Sequence, residues 1–121
     1  MSRFNDSQPI FLQIAKMIED DILNGTYSEE DQIISMAQFS SIFHVNPATI
    51  VKGIAVLVND GILYKKRGLG MYVATGAKKM IKDKRRERFS KELVLKLLEE
   101  ADKLELTSED VIEMIKQQKR S

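Results

Sequence analysis

The chain has 121 residues, 43% hydrophobic and 31% charged, which suits one domain or one domain with a small appendage. A formal net charge of +1 does not by itself mark a nucleic-acid binder, so where the cations sit matters more than how many there are. Cysteine is absent, which excludes disulfides, thiolate metal sites and cysteine nucleophiles. Met1-Ser2-Arg3-Phe4-Asn5-Asp6 carries no apolar signal run, and no stretch approaches the ~20 apolar residues needed to cross a bilayer, so a cytoplasmic chain with no membrane partner is expected.

Residues 1–8 read as an arm leading into a first helix. From Pro9, the spacing of Ile10, Ile14, Met17, Ile18 and Ile22 predicts an amphipathic helix that stops at Asn24-Gly25. Residues 26–32 are polar and acidic and read as a loop. Ser35 can cap a second helix running to about Phe43, with Met36, Phe39, Ile42 and Phe43 as its apolar side. His44-Val45-Asn46 is long enough only for a turn. Asn46 then caps a third helix, with Pro47 at the first helical position, where its missing N–H costs nothing. Ile50, Ile54, Leu57 and Val58 define the buried side of that helix. Ala48, Thr49 and Lys52 fall largely off it, a small residue, a hydroxyl and a cation at an exposed front that suits close approach to the major groove of DNA.

Two short helices joined by such a turn form a helix-turn-helix pattern. After Asp60-Gly61, the β-prone runs Ile62-Leu63-Tyr64-Lys65-Lys66 and Met71-Tyr72-Val73 flank Arg67-Gly68-Leu69-Gly70 and predict a hairpin, placed as a wing. Lys65, Lys66 and Arg67 have no acid nearby and point to phosphate contact. Gly68 and Gly70 let the backbone turn tightly against a partner. Ser35 is both a cap and a candidate phosphate donor.

Thr75-Gly76-Ala77 reads as a boundary, giving a winged helix-turn-helix over residues 1–75 and a helical tail over 76–121. The fold class is mainly α with one small β-hairpin. Residues 78–88 are densely basic and read as an exposed helix face. Leu93, Val94, Leu97, Leu98, Ala101 and Leu104 form a helical stripe. Thr107-Ser108-Glu109-Asp110 resembles a capping box, and Val111, Ile112, Met114 and Ile115 follow it. Two short helices with broad apolar faces have little core of their own. Leu93, Val94, Leu97, Leu98, Ala101, Leu104, Val111, Ile112 and Ile115 are therefore expected at a dimer interface. His44, the sole histidine, reads as a turn or core residue, and no His/Cys cluster predicts a metal. No nucleophile–base pair or cofactor motif is present, so neither an enzyme nor a cofactor is expected.

The chain resembles winged-helix regulators of the GntR family, most closely the short YtrA-like subfamily. The resemblance rests on Pro9-Ile10-Phe11-Leu12-Gln13-Ile14-Ala15, Ile22-Leu23-Asn24-Gly25, Val45-Asn46-Pro47-Ala48-Thr49-Ile50, Leu57 with Asp60-Gly61-Ile62-Leu63, and Arg67-Gly68-Leu69-Gly70-Met71-Tyr72-Val73. It implies a homodimeric repressor on a palindromic operator in double-stranded DNA, paired through the short tail. Ser35, Asn46, Ala48, Thr49, Lys52, Lys66, Arg67, Gly68 and Gly70 are then its DNA-binding residues. Whether a small-molecule effector exists is unknown. Four positions depart from the family pattern. Ile34-Ser35-Met36-Ala37 lacks the family's proline and arginine, Lys52 stands where arginine is frequent, and Gly53 stands where alanine is usual. These departures keep a second reading open, a winged-helix protein-interaction module with weak or lost DNA binding.

Overall fold

A computed structural model describes residues 4–120; residues 1–3 of the expected N-terminal arm lie outside the described residues. Helix α1 (Ile10–Leu23) comes first, followed by α2 (Met36–Phe43), α3 (Pro47–Asn59), strands β1 (Leu63–Lys66) and β2 (Gly70–Val73), and α4 (Ala77–Arg88). A π-helical turn, Phe89–Val94, follows, then α5 (Leu95–Lys103) and α6 (Ser108–Arg120). The chain divides into two compact units, Met1–Lys82 and Asp83–Ser121. The division falls within α4, because Ala77 and Ile81 are fully buried in the core of the first unit.

In the first unit, α1 packs on α3. Ile14, Ile18 and Ile22 meet Ile50, Ile54 and Leu57, and Phe39, Ile62, Leu63 and Val73 complete the core. Fully burying each of these large side chains contributes about 1.5–3 kcal/mol. Gln13 ties down the arm. Its amide donates to the carbonyls of Asn5 (2.7 Å) and Gln8 (2.8 Å) and accepts from the Asn5 N–H (3.1 Å).

Several apolar expectations are corrected. Met36 and Ile42 are exposed, because α2 is only eight residues long and packs through Phe39 and Phe43, whose rings lie 4.6 Å apart. Ile10 is exposed at the open first turn of α1. Val58 is exposed too, lying about 100° round the helix from the fully buried Leu57. Residues 26–32 are not all loop. The Glu30 N–H donates to the Val73 carbonyl (2.8 Å), Val73 N–H to Asp31 (2.9 Å) and Ile33 N–H to Met71 (3.0 Å), so this segment lines the free edge of β2.

The turn between α2 and α3 lacks glycine because His44 adopts the left-handed conformation itself, at φ 54° and ψ 44°. A side chain there costs about 1–2 kcal/mol against the right-handed region. Replacing His44 by glycine is expected to raise stability by roughly 0.5–1 kcal/mol, after allowing for glycine's greater freedom in the unfolded chain. Urea unfolding at fixed protein concentration measures this, and an unchanged or lower midpoint would count against it.

In the second unit, α5 ends in a Schellman motif. Leu106 N–H donates to the Ala101 carbonyl (2.9 Å) and Glu105 N–H to Asp102 (3.1 Å), with Glu105 at φ 59°. Thr107 caps α6 as expected. Its Oγ1 accepts from Asp110 N–H (3.1 Å), while an Asp110 carboxylate oxygen accepts from Thr107 N–H (2.9 Å). Asp110 thus fills the place usually taken by Glu or Gln. The apolar stripe is interrupted by the π-helical turn Phe89–Val94. Of the residues expected at a dimer interface, Ala101 and Val111 are buried within the single chain. Leu93, Val94, Leu97, Leu98, Leu104, Ile112 and Ile115 are exposed. Among the described residues, no helix is long and apolar enough to cross a membrane.

Candidate nucleic-acid interface

The front of the helix-turn-helix is built by two caps. Ser35 Oγ accepts from Gln38 N–H (3.0 Å), and the Gln38 side chain accepts from Ser35 N–H (3.0 Å), a complete capping box. The Ser35 oxygen is therefore engaged as an acceptor, and a phosphate contact would use its hydroxyl proton. Asn46 Oδ1 accepts from Ala48 N–H (2.8 Å), and Pro47 occupies the first turn of α3. These local bonds fix where α3 begins and hence which residues stand at its front.

That front differs in detail from the sequence expectation. Ala48 and Lys52 are exposed, whereas Thr49 is half-buried. The Lys52 ammonium lies over the Phe11 ring of α1, 4.2 Å from its centroid. Such a contact contributes about 0.5–1 kcal/mol at an exposed site and holds the cation on the α1 side of the helix. Sequence reading missed Phe11 in this role, and also missed that Val51 and Ala55 share the outer face of α3.

Gly53 faces inward. A Cβ built on it would stand 2.8 Å from the Phe11 carbonyl oxygen and 3.1 Å from Ile14 Cγ2. The glycine is what allows α3 to lie this close to α1.

The wing pairs Leu63 with Val73, Tyr64 with Tyr72, Lys65 with Met71 and Lys66 with Gly70. Arg67 lies in the loop, whereas Lys65 and Lys66 belong to β1 and therefore point to opposite faces. Leu69 N–H closes the loop on the Lys66 carbonyl (2.9 Å), and Gly68 (φ 72°) and Gly70 (φ 92°) supply the positive φ angles it needs. On the outer face, the Lys66 ammonium sits 4.4 Å from the Tyr72 ring centroid, and Tyr64 lies beside Tyr72.

Two side chains from the segment before α2 anchor this hairpin. Gln32 Nε2 donates to the Leu69 carbonyl (2.6 Å). Glu30 accepts from the Tyr64 hydroxyl (2.5 Å) and the Thr75 hydroxyl (2.8 Å). The Tyr64 bond, followed by the Thr75 bond, holds the Glu30 carboxyl below its ordinary pKa, and the same carboxylate raises that of Tyr64. Glu30 is thus an anion at neutral pH, accepting from the wing while Gln32 holds its tip. Both were read from sequence as plain loop, and no local pattern marks them.

No protein-family model matches the chain. A crystal structure of a transcriptional regulator of the GntR family from Bacteroides thetaiotaomicron is 34% identical and covers 93% of this chain and 99% of its own, with a TM-score of 0.79. The chain belongs to the GntR family. Among curated relatives, the uncharacterized HTH-type transcriptional regulator YhcF of Bacillus subtilis is 29% identical over 115 residues, 95% of this chain and 93% of YhcF. The HTH-type transcriptional repressor YtrA of the same organism is 32% identical over 72 residues, 60% of this chain and 55% of YtrA, so the YtrA-like placement fits. The AraR DNA-binding domain, solved in complex with operator ORX1, is 28% identical and covers 61% of this chain and 95% of its own, with a TM-score of 0.56. This GntR-family regulator keeps the helix-turn-helix and wing. Ala37 and Lys52 are both exposed.

Proposed function

We propose that this GntR-family regulator is a sequence-specific DNA-binding repressor acting as a homodimer on a palindromic operator. The observation that carries the reading is the doubly capped front of α2 and α3 beside a braced wing with cations at its tip. In this reading Ala48, Thr49 and Lys52 enter the major groove, with Asn46 setting the start of α3. Ser35, Lys66 and Arg67 meet the phosphate backbone, and Gly68 and Gly70 let the wing approach it. The winged helix, read as residues 1–75, binds DNA, and the tail, 76–121, pairs two copies. Two half-sites then lie about one helical turn apart. AraR's complexes with operators and YtrA's naming as a repressor support the reading. A regulator of this kind works in the compartment that holds the DNA, here the cytoplasm. Ala37 favours a second reading, a protein-interaction module on the same scaffold.

Fluorescence anisotropy against salt tests the choice, with a duplex from upstream of the protein's own gene and a scrambled control. The native duplex is expected to win by ~10³-fold or more. Arg67→Ala is expected to weaken both duplexes and flatten the salt slope by about one unit, as loss of one phosphate contact does. Lys52→Ala is expected to reduce affinity chiefly for the native duplex. Equal, weak binding of both duplexes, unaffected by either change, would favour the protein-interaction reading.

A further inference from the structure

The outer face of α3 carries an apolar stripe where a solvated helix would be mostly polar. Ala48, Val51 and Ala55 recur at i, i+3 and i+7, so they form one stripe, opposite the buried Ile50, Gly53, Ile54 and Leu57. All three are exposed, Val51 by 49%. None carries a hydrogen-bonding side chain. Lys52, at i+4, shares this exposed face, but its ammonium is held over Phe11 on the α1 side, and Thr49 is half-buried. Valine is a weaker helix former than the long polar residues that usually occupy such a position. Its exposed branched side chain contributes little to the core of its own unit, so the stripe is shaped for something outside the chain.

We infer that this stripe reads thymine 5-methyl groups in the major groove, with Val51 as the residue that covers the methyl. The inference rests on the DNA-binding reading above and names what α3 recognises. The 5-methyl of thymine is the one apolar group that a base pair presents in the major groove, and it is absent from the minor groove. A hydrophobic side chain flanked by two alanines can cover a methyl without leaving a polar base atom against a competing donor. The small alanines also let the helix backbone come close. Lys66 and Arg67 of the wing supply charge of the sign a DNA backbone requires beside this reading face. Discrimination at these positions comes from methyl burial, in place of the arginine fork to guanine that Lys52 cannot supply.

The test begins by selecting duplexes from a random pool with the full chain. Each thymidine of the selected site is then replaced in turn by deoxyuridine, which removes the methyl and leaves every hydrogen-bonding group. Wild type is expected to lose about fourfold in affinity at one or two thymidines per half-site, the effect of one buried methyl. In Val51→Ala, whose change lies on an exposed helix position, the same replacements are expected to cost less than twofold. Silent deoxyuridine at every position overturns the inference while leaving DNA binding intact. An unchanged penalty in Val51→Ala overturns the role of Val51. A pool that yields no enriched duplex overturns the DNA-binding reading itself, and a protein partner then becomes the occupant of the stripe.

Discussion

Gly53→Ala is expected to lower the melting temperature of the protein by roughly 5–15 °C, against the direction helix propensity dictates. In an isolated helix this change stabilises by about 0.8–1 kcal/mol. Here the new Cβ would stand 2.8 Å from the Phe11 carbonyl oxygen, and 3.1 and 3.2 Å from Ile14 Cγ2 and Cβ. The first neighbour is backbone within α1, and Ile14 is fully buried, so neither can swing aside as a surface side chain would. The helices must separate instead, and overpacking of this kind costs about 1–3 kcal/mol. Contact with a backbone atom places the cost at the upper end, leaving a net loss of about 1–2 kcal/mol. For a unit of this size, each kcal/mol moves the midpoint by about 4–8 °C. Thermal melts followed by circular dichroism, at one protein concentration, decide it. Val51→Ala, on the exposed side of the same helix, is the control and is expected to leave the midpoint unchanged or slightly raised. A rise in Gly53→Ala comparable to the control would mean that α1 and α3 yield easily. It would remove the reason for glycine at this position.

The contrast between Gly53 and Asn46 marks what was legible in the sequence. Caps, proline at a first helical position and a glycine-containing hairpin are local chemistry, so Ser35, Asn46, Pro47, Thr107 and the wing could be read from a few neighbouring residues. Gly53 read only as a departure from the family's alanine, because the atom that needs its small size, the Phe11 carbonyl oxygen, lies on another helix. The same limit hid the bonding of Glu30 and Gln32 to the wing, whose partners stand more than thirty residues away. It hid the contact between Lys52 and Phe11 for the same reason. The cations of the wing were found as a cluster. Their division between the loop and two strand faces follows only from the register, which pairs Lys66 with Gly70. In the tail the apolar stripe was visible. The π-helical turn that interrupts it was not, since no residue type in Phe89–Val94 demands one.

The tail carries the second large expected effect. The α5–α6 pair buries Ala101 and Val111 and leaves an open groove of about 450 Å³, with Leu97, Leu104, Leu106, Met114 and Ile115 among its lining. With so much apolar surface left uncovered on two short helices, the proposed homodimer places this surface against its own copy across a two-fold axis. Introducing Leu97→Glu together with Ile115→Glu would put unpaired carboxylates into that interface, at a cost of several kcal/mol once desolvated. Both side chains are exposed in the single chain, so the fold of each protomer should survive, as a retained helical spectrum would show. Sedimentation equilibrium is expected to return a dimer for the wild type and a monomer for the double variant. Pairing also makes the second half-site contact intramolecular. A duplex with two half-sites should therefore bind wild type about 10²–10⁴-fold more tightly than a duplex with one, and the variant should lose that advantage. A monomeric wild type, or a variant that stays dimeric, would remove the tail from the interface. A monomeric variant that keeps the full two-site preference would mean that two copies pair on DNA through the winged helices instead. The salt-dependent contacts of Arg67 would then remain, and the role of the tail would have to be sought in the groove itself.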